Sequence, residues 1–175
     1  MKKILFALVA AIGIGAGVAQ AQAPAQLSIS YGGYTQMDAT DCHDGWHHVN
    51  NAWGALNAGV NFRVAPSFWI GPSYTFSSTD RKGPDSGKIA YHAIMLNGRY
   101  DYYRNRIVKM YAHLGMGVVI SHMQPYKADS YNKTYCAYQI VPVGAEVGIS
   151  RSFSIFGELG FGAQGLLQVG CHINI

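Results

Sequence analysis

The sequence predicts an all-β fold: an eight-stranded antiparallel up-and-down β-barrel that crosses a membrane, preceded by a cleaved signal peptide. Three observations predict it. Side chains alternate with period two, the links between alternating segments are short on one side and long on the other, and only 13% of residues are charged. Soluble domains carry about 25% charged residues, so something other than water must solvate part of this surface.

The leader comes first. Lys2 and Lys3 precede an apolar run from Ile4 to Val18 that ends in Ala19-Gln20-Ala21. This is the order of n-region, h-region and cleavage site in a secretory signal peptide. Cleavage is expected after Ala21, with Ala23 the next choice, so residues 1–21 form the leader and 22–175 the barrel domain. The run is shorter than the roughly 20 residues a spanning helix needs, and no later segment reaches about 18 consecutive apolar residues. No cysteine follows the run closely, which argues against lipoprotein processing. The formal charge of +4 includes Lys2 and Lys3, so their removal leaves +2. The remaining Lys and Arg are dispersed, which removes the electrostatic case for nucleic-acid binding.

Each strand is then read from its alternation, because an extended chain sends successive side chains to opposite faces. Strands are expected at about 26–36, 52–64, 68–79, 89–101, 107–120, 137–149, 153–163 and 166–175. In the second, Leu56, Ala58, Val60 and Phe62 alternate with Asn57, Gly59, Asn61 and Arg63. In the fifth, Val108 to Val118 oppose Lys109, Tyr111, His113, Gly115 and Gly117. In the sixth, Val141, Val143, Ala145, Val147 and Ile149 oppose Pro142, Gly144, Glu146 and Gly148. The seventh sets Phe153, Ile155, Leu159 and Phe161 against Ser154, Phe156, Glu158 and Gly160. In the last, Leu167, Val169, Cys171, Ile173 and Ile175 share one face, and Gln168, Gly170, His172 and Asn174 the other.

The links separate the two ends. Those at 65–67, 102–106 and 150–152 are short; those at about 37–51, 80–88 and 121–136 are long, and the last, near Gln164-Gly165, is tight. Even-numbered strands with short turns on one side and long loops on the other have the organisation of an outer-membrane barrel. Aromatics are expected to gather in two girdles. Phe62, Phe68, Trp69, Tyr100, Tyr102, Tyr103 and Phe153 fall near the short turns, and Trp53, Tyr74, Phe76, Tyr91, Tyr138 and Phe161 near the long loops. A soluble sandwich or lipocalin-like barrel would also alternate, but with a charged outer face. Here the non-apolar face is mainly Gly, Ser, Asn and Tyr, which suits a crowded lumen.

With its leader, the Gly-rich strands of "VPVGAEVGISRSFSIFGELGFGAQGLLQVGCHINI" and a strand running to the last residue, the chain resembles the small eight-stranded outer-membrane β-barrel proteins of Gram-negative bacteria, of the OmpA-transmembrane-domain type. The resemblance is one of pattern over the mature chain. It departs at Ile175, where such barrels usually carry an aromatic residue. It implies the outer membrane as location, lipid as surroundings and a monomer as the expected state; because the sequence stops with the last strand, no peptidoglycan-binding domain is expected to follow.

The inner face carries the candidate lumen network of Arg63, Arg99, Lys109, Glu146 and Glu158 among Tyr111, His113, Gln139 and His172. An eight-stranded barrel is only just wide enough for its own side chains, so these groups are expected to plug it. Buried charges are costly unless paired. Glu146 and Glu158 are therefore expected to bridge to Arg99, Lys109 or Arg63. A gated ion path is the alternative.

The loops hold the rest. "DCHDGWHH" at 41–48 has metal-ligating residue types, which Cys136 and His122 could complete, but zinc sites draw their pairs at set spacings. Cys42 and Cys136 sit at strand–loop borders in an oxidising compartment, where a disulfide is the simpler fate. Cys171 is expected to act as a small lipid-facing residue. His43, His47 or His48 with Asp85 and Ser86 resemble, loosely, the loop residues of outer-membrane lipid A palmitoyltransferases, although the flanking residues differ and the N-terminal amphipathic helix of that family has no counterpart. No residue is assigned as catalytic, cofactor-binding or metal-ligating, and no cofactor is expected. The expected role is structural or adhesive, through external loops whose Trp46, Tyr126, Tyr131 and Tyr135 suit an extracellular protein or surface ligand. A lipid-modifying enzyme and a narrow conduction pathway are the alternatives.

Overall fold

The computed structural model describes residues 25–42, 49–50, 54–81, 87–125, 130–150 and 152–175. The expected leader, 1–21, lies outside them. Strands β1 (Ala25–Gly33), β2 (Val49–Asn50), β3 (Ala55–Ala65), β4 (Phe68–Arg81), β5 (Gly87–Arg104), β6 (Val108–Pro125), β7 (Tyr131–Gly148), β8 (Phe153–Gly162) and β9 (Leu167–Asn174) are joined by one helix, α1 (Gln36–Cys42). Every pairing is antiparallel. β1 pairs with β3, each later strand with the next, and β9 returns to β1, closing an eight-stranded barrel. The seam is completed at one end by Ala25 N donating to Ile175 O and Ile175 N donating to Ala25 O. Closure leaves no lipid-exposed edge, which matters because unpaired backbone groups are costly in hydrocarbon. No helix among the described residues is long and apolar enough to cross a membrane; the crossing is made by strands.

The expected alternation holds along most strands. Leu56, Ile94, Leu96, Leu114, Met116, Val118, Ile155 and Val169 all point outward and are exposed, while their neighbours are buried or half-buried on the lumen side. β7 departs from it. Its register with β6 shifts between Tyr111 and His113, and with β8 between Ile140 and Val143. A bulge adds a residue and so flips the faces beyond it. Val141, expected on the lipid side, is therefore buried at 1% exposure, and the alternation resumes with Val143 outward and Gly144 and Glu146 inward. Pro142, which has no N–H to give a ladder, sits in the irregular stretch.

Strand lengths also differ from expectation. β5, β6 and β7 have 18 residues each, against 8 to 11 for β1, β3, β8 and β9. At about 3.3 Å per residue and a tilt of about 40°, an 18-residue strand rises about 45 Å, where the apolar band of such barrels is about 25 Å tall. The second and third long links shrink accordingly to 82–86 and 126–130, and β4 to β7 stand above the rest of the wall on that side. The outward residues of this extension are polar or small, with Ser78 opposite Ala90, Lys88 opposite Gln124 and His122 opposite Asn132.

The first long link is partly ordered, contrary to the loop expected at 37–51. β1 ends at Gly33, and Tyr34 takes a positive φ of 48° that turns the chain inward. Thr35 then caps α1: Asp38 Oδ2 accepts from Thr35 N and Thr35 Oγ1, each at 2.8 Å, and Asp38 N donates to Thr35 Oγ1 at 3.3 Å. This is a capping box with Asp in the Glu position. The short β2 pairs with the top of β4, so the link covers part of that strand's edge.

Candidate functional site: a layered lumen

The lumen is filled in layers, the lower two polar and the upper apolar. At the short-turn end Arg99 is central. Its Nε donates to Asp101 Oδ1 at 2.7 Å, its Nη2 to Glu146 Oε2 at 2.7 Å and its Nη1 to Gln26 Oε1 at 3.4 Å. Glu146 Oε1 also accepts from Lys109 Nζ at 2.8 Å and Ser154 Oγ at 2.9 Å, and Oε2 lies 3.1 Å from His172 Nδ1. Phe156 stacks on the His172 ring at 4.1 Å, which fixes its orientation. Asp101 Oδ2 takes Trp69 Nε1 at 3.2 Å and Arg104 Nη2 at 2.8 Å. Two carboxylates thus hold three cations with side-chain exposures of 0% and 1% on the acidic partners. Burial of that depth demands full pairing, and these oxygens have it.

Above lies an amide and hydroxyl layer around Glu158. Tyr111 OH donates to Glu158 Oε1 at 2.8 Å, Gln168 Nε2 to Oε2 at 3.1 Å, and His113 Nδ1 stands 3.5 Å from Oε2. The Tyr111 ring carries the Arg99 guanidinium at 3.7 Å on one side. It also passes so close to Gly144 that a Cβ there would stand 2.5 Å from Cε2. Asn57 joins the walls, its Nδ2 donating to Ser30 Oγ, Gln164 O and Gln168 Oε1, and its Oδ1 accepting from Thr75. The tight last link closes on this layer: Gln139 accepts from Gln164 N and donates to Gly165 O. Gly165, at φ +115°, is where the chain needs glycine. A cavity of about 40 Å³ lies among Asn97, Arg99, His113, Glu158, Gln168 and His172. Asn97 Oδ1 and His113 Nε2, both buried, have no protein hydrogen bond among the described residues. A volume of that size holds about three waters, which would satisfy both atoms.

The upper lumen, towards the long loops, is apolar. Ile89, Tyr91, Ala93, Met95, Val119, Met123, Ala137 and Ala163 pack under Met37 of α1, which is 0% exposed. Gln36 ties the helix to the wall, its Nε2 donating to Cys136 O at 3.0 Å and its Oε1 accepting from Tyr138 N at 3.2 Å. Those are backbone groups of β7 above the last β8 pairing, at Gln139 and Gly162, so the carboxamide stands in for a missing strand.

Of the five expected network residues, Arg99, Lys109 and Glu146 meet in one cluster. Two do not follow the expected pairing. Glu158 has no Arg or Lys partner among the described residues and is held by Tyr111, Gln168 and His113. Arg63 joins no carboxylate there; its guanidinium lies 5.0 Å over the Trp69 ring. Trp69 and Tyr91, expected in the girdles, are buried in the lumen at 3% and 0% exposure because they fall on the inward parity of their strands. Tyr135, expected as a loop contact, packs against the apolar layer from β7. Asp101, missed in the sequence, was legible from parity, since it lies two residues after Arg99 on the same face. The α1 cap was legible as Thr35-x-x-Asp38. His43, His47, His48, Asp85, Ser86, Trp46 and Tyr126 lie outside the described residues, as do the side chains of Cys42 and Tyr131, so the expected disulfide falls there too. Cys136 Sγ stands 3.7 Å from Ala137 O.

Comparison with known proteins accords with this architecture. Among solved structures, the chain is similar to Neisserial surface protein A, with TM-score 0.56, 9% identity and coverage of 87% of this chain and 96% of that one. It is also similar to a de novo designed transmembrane β-barrel, with TM-score 0.52, 12% identity and coverage of 89% and 98%. The attachment invasion locus protein Ail of Yersinia pestis aligns at 15% identity over 87% of this chain and 95% of that one, with TM-score 0.49. No curated protein matches the chain by sequence. The family model described as outer membrane protein beta-barrel domain matches residues 5–163, and the chain belongs to that family of Gram-negative outer-membrane barrels.

Proposed function

We propose that this barrel is a sealed membrane anchor that presents the extension of β4 to β7 for contact with a partner at the cell surface. The observation that carries the reading is the unequal wall: three 18-residue strands rise beyond the apolar band, with a polar outer face and an apolar inner face backed by α1. A barrel built only to cross the membrane has no use for that height. Conduction is disfavoured by the filling. Arg99, Asp101 and Glu146 close the lower lumen, and Tyr91, Met95, Val119 and Met37 the upper, all at 5% exposure or less.

Two measurements test the two halves of the proposal. Purified protein in planar bilayers is expected to give no discrete currents; reproducible unitary steps would overturn the sealed lumen. For the contact role, residues 78–90 and 122–132 are replaced by two-residue turns. Cells carrying this chain are expected to lose adhesion to epithelial monolayers while the barrel still migrates faster unheated than boiled on gels. Unchanged adhesion with a folded barrel would refute the role of the extension.

A further inference from the structure

The short-turn end carries a separation of charge that the lumen network does not use up. Its acidic side chains, Asp101 and Glu146, are buried at 0% and 1% exposure, while their cation partners at the rim reach solvent, Lys109 at 27% and Arg104 at 37%. Arg106 is exposed in the turn between β5 and β6. Arg63 has no hydrogen bond or ion pair among the described residues, and its Nε is among the buried atoms without a partner. No acidic side chain is exposed at this end among the described residues.

These cations form one patch. Arg63 faces Trp69 across β3 and β4, Trp69 faces Arg99 across β4 and β5, and Arg104 faces Lys109 across β5 and β6. Arg104 Nη2 also donates to Pro66 O at 2.8 Å, drawing the β3–β4 turn against the end of β5. On the outside of the same strands, Phe68, Tyr100, Tyr102 and Tyr103 are 39% to 54% exposed. Exposed aromatics of this kind mark the headgroup level of a barrel wall. A patch at that height, with positive charge, tyrosine hydroxyls and no exposed acidic side chain among the described residues, is complementary to a phosphodiester.

We propose that this patch binds the phosphate of an anionic phospholipid in the leaflet facing the short turns, with Arg63 and Arg106 as the cations free to receive it. The aromatic belt favours lipid over a soluble anion, because it sets this mouth of the barrel at the headgroup level, where lipid phosphates are concentrated. Each cation near an anionic membrane surface contributes several-fold in affinity.

The test is a titration of dihexanoyl phosphatidylglycerol, dihexanoyl phosphatidylcholine and glycerol phosphate into isotope-labelled protein folded in zwitterionic micelles, read by NMR. Saturable shifts at Arg63, Tyr102 and Arg106 with phosphatidylglycerol are expected, with none from phosphatidylcholine. The R63Q/R106Q double variant, which removes no ion pair, is expected to weaken the response about tenfold and to keep the heat-modifiable migration of a folded barrel. Equal responses to the two lipids would overturn the proposal. A response to glycerol phosphate as strong as that to phosphatidylglycerol would overturn the lipid assignment in favour of a soluble anion. An unchanged response in a folded R63Q/R106Q protein would remove the two arginines from the site.

Discussion

Replacing Glu146 with Ala takes away the carboxylate shared by Arg99 at 2.7 Å and Lys109 at 2.8 Å, together with the acceptor for Ser154. Removing one partner of a buried pair costs about 3–5 kcal/mol, because the other charge is left uncompensated. The structure decides where in that range this site falls. Arg99, whose side chain is 6% exposed, keeps Asp101 at 2.7 Å, and Lys109, at 27%, can turn to solvent. The loss is therefore expected at the lower end, about 3 kcal/mol. The double change R99M/E146L removes both charges. It is expected to lie within about 1 kcal/mol of the parent, giving a coupling of 2 kcal/mol or more in a double-mutant cycle. Asp101 survives that change because Arg104 and Trp69 still hold it. The assay is reversible urea unfolding in lipid or detergent, followed by tryptophan fluorescence and by gel migration, with the free energy taken from the linear dependence on denaturant. An E146A protein within 1 kcal/mol of the parent, or a double variant that only sums the singles, would refute the view that this pair carries its own desolvation.

Other outcomes follow from the same geometry. Gly144→Ala drives a Cβ into the Tyr111 ring, and an overpacking cost of about 1–3 kcal/mol is expected in the same unfolding assay. Gly148→Ala meets only Ile107 O at 3.7 Å and is expected to change little, so equal effects at the two sites would sink the packing argument. Met37→Asp places a carboxylate in the apolar upper layer, and faster hydrogen exchange through α1 is expected with global stability largely retained. Gln36→Ala removes two hydrogen bonds to the β7 backbone, and selective loss of protection at the Tyr138 amide is the expected readout. Lys109→Met breaks a partly exposed pair and is expected to cost less than E146A, about 1 kcal/mol, by urea titration.

The strands that were easiest to read, the last two, are those that run without a bulge between lipid and lumen. Leu167 to Ile175 and Phe153 to Phe161 show in the structure the faces their alternation predicts. Alternation alone puts Val141 of β7 on the wrong face for a definite reason. Period two assigns every residue to a face only while the register is unbroken, and the shift between Ile140 and Val143 reassigns Val141. The ends of the long strands were misplaced because above the lipid the outer face turns polar and the inner face apolar, the reverse of the spanning segment. Met123 therefore reads as a loop residue and Tyr91 as a girdle residue when both, with Ile89, are the packed interior of the extension. The polar site was legible in part, since parity alone places Arg99, Lys109, Glu146 and Glu158 in the lumen. Which of them pair is a matter of height and reach around the barrel, and no spacing along the chain encodes that.

The amino-acid pattern by itself determined the class, the strand number, the side facing lipid and the membrane that holds the chain, because solvation by hydrocarbon acts on every other residue and leaves its mark locally. Tertiary structure alone decided that Glu146 bridges two cations while Glu158 is held by a tyrosine, an amide and a histidine, that Arg63 is left over at the mouth, and that α1 lies over an apolar chamber beneath a raised wall. Closure is the physical reason. Residues from all eight spanning strands meet across a lumen about one side chain wide, so each contact depends on the shear and register of the whole barrel.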